Sequence, residues 1–252
     1  MSDLKTIAVW FSCGAASAVA AKLTLEKYGA THNVRVLNNP IAEEHEDNRR
    51  FLHDVEKLLG ITVETVIHPM FPSCSAVEVW DHERYMSGPP GASCTRALKR
   101  RARLLWEKHN RCDSLVIGLT ADEQRRIDNF NRDRTENDPV MLSVLADAGM
   151  TKQDCFDVLA KAQIRPPHIY SLGFPNANCI GCVKSASPTY WNLVRKCFPE
   201  VFAQRAEQSR RLGVRLVKVK GQRIYLDELE PNAIGGKMKA FDCGVICQRE
   251  DD

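Results

Sequence analysis

Lys5-Thr6-Ile7-Ala8-Val9-Trp10-Phe11 runs into Ser12-Cys13-Gly14-Ala15-Ala16-Ser17, and that loop runs into Ala18-Val19-Ala20-Ala21-Lys22-Leu23-Thr24-Leu25. The first stretch is a continuous apolar and β-branched run, the pattern of a strand buried on both faces. The last reads as a helix. A loop of small residues between a buried strand and a helix N-terminus forms an anion cradle, because unpaired amides and the positive end of the helix dipole face the same point. Ser12, Cys13, Gly14, Ala15, Ala16 and Ser17 are therefore candidate phosphate- or sulfate-binding residues. Ser12 and Ser17 can add hydroxyl donors, although Gly and Ser also serve as ordinary caps.

Working outward, Val34 to Asn39 reads as a second strand closed by Asn38-Asn39-Pro40, and Ile61 to Ile67 as a third. Ser114 to Gly118 reads as a fourth. Between them, Phe51, Leu52, Val55, Leu58 and Leu59 mark one face of a helix from Glu43 to Leu59 that stops at Gly60. A further helix spans about Arg96 to Lys108. This alternation predicts a doubly wound parallel α/β sheet, Rossmann-like, whose ligands bind beyond the carboxyl ends of the strands. Ser12 to Ser17, Asn38, Asn39 and Gly118 all fall there. Further on, Met150 to Ala162 reads as a helix capped by Thr151, and Pro188 to Leu212 as one helix with an aromatic packing stripe. Val214 to Val219 and Arg223 to Leu226 read as a hairpin turning at Gly221. Residues 1–175 then form a nucleotide-binding α/β domain, and 176–252 a small cysteine-containing extension packed on it.

Composition narrows the class. The 252 residues are 44% hydrophobic and 27% charged, as in a globular protein. Lys+Arg 35 against Asp+Glu 32 leaves a net charge of +3, which nominates neither nucleic acid nor membrane as a partner, so any anion site is local. Arg-rich stretches such as Lys99-Arg100-Arg101 and Arg125-Arg126 read as solvated helix faces unless they lie beside an anionic ligand. No apolar run suits a membrane span and the first residues carry no secretory pattern, so a cytoplasmic protein is expected.

The 10 cysteines suggest metal ligation or thiol chemistry in a reducing compartment. Cys13, Cys74, Cys112, Cys155 and Cys197 stand alone, as small hydrophobes do. Cys179-Ile180-Gly181-Cys182 and Cys243-Gly244-Val245-Ile246-Cys247 stand in pairs, and two such pairs suit zinc or an iron–sulfur cluster. Cys94, in Gly91-Ala92-Ser93-Cys94-Thr95-Arg96, sits among residues suited to an active site.

In this order the segments resemble the adenosine phosphosulfate and phosphoadenosine phosphosulfate (APS/PAPS) reductases of the PP-loop, or adenine nucleotide alpha hydrolase-like, superfamily. Ser12 to Ser17 stands where that family has its PP-loop, and Asn38-Asn39 where its fold holds adenosine. Ser93-Cys94-Thr95-Arg96-Ala97-Leu98-Lys99 is similar to its Cys-Cys-x-x-Arg-Lys stretch. Gly118-Leu119-Thr120-Ala121-Asp122-Glu123-Gln124-Arg125-Arg126 is similar to its Gly-x-Arg-x-x-Glu-x-x-Arg loop. Thr151-Lys152-Gln153-Asp154, then Ile169-Tyr170-Ser171-Leu172-Gly173-Phe174 and Cys179 to Cys182, resemble its capped helix, turn and cysteine loop. Two departures stand out: Ala16 replaces the aspartate that helps ATP-cleaving relatives hold magnesium, and Thr95 replaces the second cysteine of the pair.

The resemblance implies an adenine nucleotide substrate (PAPS, APS or ATP), with Lys99, Arg125 and Arg126 offsetting charge on the leaving nucleotide. It implies a [4Fe-4S] cluster, with zinc as the alternative, held by four of Cys94, Cys179, Cys182, Cys243 and Cys247. Asp242-Cys243-Gly244 resembles the reductase tail whose cysteine attacks sulfur, so Cys243 is either nucleophile or ligand. A thiol-redox protein would then serve as electron donor. ATP-dependent sulfur transfer to a nucleobase or tRNA, and a silent nucleotide- or nucleic-acid-binding module with a structural metal, are the alternative readings.

Overall fold

The computed structural model describes residues 4–89, 91–132, 134–136, 138–235 and 238. Its centre is a five-stranded sheet of β1 (Thr6–Trp10), β2 (Asn33–Asn38), β3 (Glu64–Thr65), β6 (Ser114–Ile117) and β7 (Val140–Leu142), in the order β3-β2-β1-β6-β7. Every pairing in it is parallel. The fold is thus α/β, with helices covering both faces of the sheet.

Alternation along β1 shows how. Ile7 and Val9 pack with α1 (Ala15–Tyr28), α2 (Asp47–Leu59) and α7 (Lys152–Lys161), whereas Ala8 and Trp10 pack on the opposite face with Ala102 of α4 (Ala102–His109) and Ile127 of α5 (Gln124–Arg132). With both faces covered, all five residues of β1 are buried, which is why the strand reads as an unbroken apolar run. The first half of α1 is Ala-rich because it is enclosed almost all round.

A third core joins residues between 41 and 98 to residues between 169 and 229. It includes α3 (Ala76–Glu83), the short hairpin of β4 (Ser87–Gly88) and β5 (Gly91–Ala92), α8 (Pro188–Cys197), α9 (Pro199–Arg211) and the hairpin of β8 (Val217–Val219) and β9 (Gln222–Ile224). Gly221 turns that last hairpin at φ +88, as expected. The short helix α6 (Val144–Asp147) lies against α1.

Three expectations differ from the structure. The helix from Pro188 to Leu212 is two helices, broken at Phe198 (φ −141), because Pro199 lacks an amide and disfavours helical backbone at the residue before it. The third strand is only Glu64–Thr65: the Val63 amide is taken by Glu56 Oε1 at 2.8 Å, and the Val66 carbonyl by Asn39 Nδ2 at 2.8 Å. The fifth strand, β7, is too short to carry a periodicity of its own. Thr151 does cap α7, accepting from the Asp154 amide at 3.3 Å. No helix among the described residues is long and apolar enough to cross a membrane.

Candidate functional site

A cavity of about 330 Å³ opens at the carboxyl ends of β1 and β6, the point where the strand order reverses. Ser12, Gly14, Ala16 and Ser17 line it on one side, Gly118 to Thr120 on another, and Lys99, Arg126 and Lys152 bring cations to it.

The loop is knitted by Ser17. Its Oγ accepts the amides of Ser12 (3.1 Å) and Gly14 (3.3 Å), and donates to the Gly14 carbonyl at 3.0 Å. Ser17 is buried, whereas Ser12 is exposed to the cavity. Cys13 takes positive φ (+55) to turn the chain and is itself buried. Burial, and then the Glu44 carboxylate, push its thiol far above the ordinary range, so it stays a neutral packing group. Asn38 holds the loop from beneath, with Nδ2 donating to the Phe11 carbonyl at 2.7 Å and lying 3.5 Å from the Cys13 sulfur. Gly118 is where β6 meets this loop: a Cβ there would stand 2.5 Å from the Ser17 nitrogen.

Tyr170 closes the helix N-terminus. Its hydroxyl accepts the Ala15 amide at 3.4 Å, and its ring meets Phe156 edge-on at 5.1 Å. The segment carrying it is anchored by Asp47, whose carboxylate accepts the His168 amide at 2.7 Å and binds Arg50. Arg50 first, and the His168 amide after the opposing effect of desolvation, hold Asp47 down to about 2.

Among the cations, Lys99 is buried and faces buried Glu44 at 3.6 Å. Burial raises the Glu44 carboxyl and Lys99 opposes it. Lys99 projects from a wide π-type turn, Thr95–Arg101, an insertion often found at functional sites. Arg126 is ion-paired with Glu123. Lys152 hydrogen-bonds the Pro175 carbonyl and Asn176 Oδ1 and lies over the Tyr170 ring, and its burial favours the neutral amine. Asp122 and Glu123 add carboxylates to the lining.

Of the nucleotide-site residues expected from sequence, Ser12, Gly14, Ala16, Ser17, Asn39 and Gly118 line the cavity, whereas Cys13, Ala15 and Asn38 lie behind it. Lys99 and Arg126 line it, but Arg125 is exposed and does not, because consecutive helical residues point about 100° apart. Lys152, Tyr170, Asp122, Glu123 and Asn176 to Asn178 had not been singled out. Asp122, Glu123, Lys152 and Tyr170 stand within the segments that carry the family resemblance, but no spacing among them marks one site.

The cysteine loop follows the cavity wall in the chain. Asn176, Ala177 and Asn178 line the cavity, and Cys179 is the next residue. Cys179 and Cys182 are buried in the third core, with Cys94 packed against the same core. Gly181 between them has φ +70. Tyr190 clamps this loop: its hydroxyl accepts the Cys182 amide at 2.7 Å and donates to the Cys179 carbonyl at 3.4 Å. The Ile180 amide donates to the Glu43 carbonyl at 2.9 Å.

No three His, Cys, Asp or Glu side chains among the described residues form a ready metal-binding group. Cys243 and Cys247 lie outside the described residues. The residues that are described nevertheless suit a thiolate-ligated centre. Cys179 and Cys182 are soft donors shielded from water, Cys94 is half-buried, and a buried guanidinium with an unpartnered Nε, that of Arg205, rests against Gly181.

Neither family models nor curated proteins give a match to this chain. Among solved structures it is similar to the U34-tRNA thiolase NcsA from Methanococcus maripaludis with its [4Fe-4S] cluster, at a TM-score of 0.45 and 15% identity, over 86% of this chain and 74% of that one.

Proposed function

We propose that this chain is an adenine nucleotide-binding enzyme of sulfur chemistry, of the PP-loop type. Residues 1–175 hold the nucleotide, and the cysteines of residues 176–252, with Cys94, hold a metal centre. One observation carries the reading: the cavity gathers the Ser12–Ser17 loop, Lys99, Arg126 and Lys152, and its wall residues Asn176–Asn178 lead along the chain into the Cys179–Cys182 loop. An anion-binding corner with a cysteine pair one residue beyond its wall suits a substrate with a phosphate at one end and sulfur chemistry at the other.

A nucleotide phosphosulfate (PAPS or APS) is the preferred substrate class. The loop amides and Ser12 bind its phosphate, and Lys99 and Arg126 offset the charge that grows on the departing nucleotide. Ala16, which offers no magnesium ligand, suits a substrate whose phosphosulfate needs only the cradle. In this reading the Cys243 thiolate attacks sulfur. An S–S bond forms, the S–O bond of the phosphosulfate anhydride breaks, and the nucleoside phosphate leaves with the electron pair. A dithiol donor, such as a small thiol-redox protein, then cleaves the S-sulfocysteine to sulfite and is oxidised to its disulfide. With Cys243 kept free as the nucleophile, Cys94, Cys179, Cys182 and Cys247 would hold a [4Fe-4S] cluster, which would supply an iron centre; zinc is the alternative.

A second reading has one observation of its own. Asp122 and Glu123 both line the cavity and could take a divalent cation in place of the missing aspartate, which favours ATP-dependent activation of a nucleobase or tRNA. The two readings separate in one assay. Anaerobic protein with PAPS or APS and a dithiol releases sulfite under the first, and Cys243→Ser abolishes this release with nucleotide affinity unchanged. AMP and pyrophosphate formed from ATP in the presence of RNA, without sulfite, would establish the second.

A further inference from the structure

Arg205, on α9, is 3% exposed. Its guanidinium lies over the Trp80 ring at 4.6 Å, and Nη1 donates to Gln208 Oε1 at 3.0 Å. Nε is buried and has no partner. The side chain rests on the middle of the cysteine loop: a Cβ on Gly181 would stand 3.2 Å from Arg205 Cγ and 3.6 Å from Nε. Glycine at that position, with φ +70, lets helix and loop meet so closely.

A buried cation needs a compensating anion. Burial weakens the hold of Arg205 on its proton, and the groups that oppose this are Glu43, Cys179, Cys94 and Tyr190. Glu43 is already engaged at the N-terminus of α3, accepting from Ser75 Oγ at 2.7 Å and from the amides of Ala76 (2.8 Å) and Val77 (3.3 Å). Tyr190 is occupied by the loop backbone. After Glu43, the groups that most oppose the loss of the Arg205 proton are Cys179 and Cys94, on and beside the loop its side chain covers.

We propose that Arg205 is a positioning residue for the thiolate-ligated centre: its guanidinium offsets the centre's negative charge from the α9 side and its Nε donates to a ligand or cluster sulfur over Gly181. This rests on the reading that the cysteines hold a metal. A nearby cation stabilises the more negative oxidation state, so Arg205 raises the reduction potential of an iron–sulfur centre and strengthens its retention.

The test uses the full chain purified anaerobically as wild type, Arg205→Gln and Arg205→Lys, with circular dichroism to verify folding. Iron and acid-labile sulfide are measured, with the midpoint potential from a redox titration followed by electron paramagnetic resonance. Arg205→Gln is expected to shift the potential negative and to lose iron to a chelator several-fold faster. Arg205→Lys, which keeps the charge but withdraws the Nε donor, is expected between the two. If Arg205→Gln does not fold, Arg205→Lys carries the test. A folded variant with wild-type potential and wild-type chelator resistance would overturn the role of Arg205 while leaving the metal centre standing. A wild-type protein that binds no iron would overturn the cluster reading and this proposal with it.

Discussion

Gly118 and Ser17 lie so close that the end of β6 and the first turn of α1 leave no room for a side chain: a Cβ on Gly118 would stand 2.5 Å from the Ser17 nitrogen and 2.7 Å from its Cα. The obstacle is backbone, which cannot swing aside. Gly118→Ala is therefore expected to push the loop off the sheet, destabilising the fold by about 1–3 kcal/mol. Nucleotide affinity should fall at least tenfold. Denaturant melts and calorimetry read the two effects, and a Gly118→Ala protein with unchanged affinity would show that the loop does not form the cradle.

Lys99 and Glu44 form a buried pair beside that cradle. Replacing Lys99 by Met leaves the Glu44 carboxyl buried with its principal cation removed, a loss of about 3–5 kcal/mol by analogy with other buried pairs. Lys99→Met with Glu44→Gln removes both charges and should recover most of this stability without recovering nucleotide affinity. A double mutant no more stable than Lys99→Met would show that the two groups are not coupled.

Asp47 makes the molecule acid-sensitive at a known place. Its folded pKa of about 2 lies below the unfolded value near 3.9, so the stabilisation it gives is fully present above about pH 4 and is lost as pH falls through 2. Asp47→Asn should lower stability at neutral pH and flatten the acid limb of a plot of Tm against pH. Because Asp47 anchors the segment bearing Tyr170, the variant should also bind nucleotide more weakly. Superimposable acid limbs for wild type and variant would contradict this assignment.

The cysteines divide by environment. Cys13 and Cys155 belong to the core around β1 and α1, apart from the core that holds Cys179 and Cys182, and burial raises Cys155 to about 11 and Cys13 higher still, so neither is a ready nucleophile. Cys13→Ala and Cys155→Ala are expected to keep the metal content of anaerobically purified protein, whereas Cys179→Ser and Cys182→Ser should reduce it at least several-fold. Elemental analysis decides, and equal metal in all four variants would place the centre elsewhere.

What the sequence shows of this fold depends on length of pattern. β1, the small-residue loop and α1 are legible because an unbroken apolar run, a change of composition and an Ala-rich helix follow one another. The division at Phe198 is written only in Pro199, and the aromatic stripe running across it hides the break. β7 is three residues long and is specified by its place beside β6 rather than by periodicity. In the site, the loop residues are legible because glycine and serine at a strand end have a physical reason to be there. Lys152, Tyr170 and Arg205 are not, since each acquires its meaning from a partner distant in sequence: Asn176, Ala15 and Gly181. The difference between Arg125 and Arg126 is a matter of helix phase, fixed only once α5 docks against the sheet.

Isothermal titration of the wild-type chain with ATP, APS and PAPS, repeated with Gly118→Ala, addresses the central claim most directly. At least one of these adenine nucleotides is expected to bind at one site per chain with micromolar affinity, and Gly118→Ala to weaken it at least tenfold. Absence of heat from all three nucleotides, at protein concentrations where micromolar binding would register, would contradict that claim.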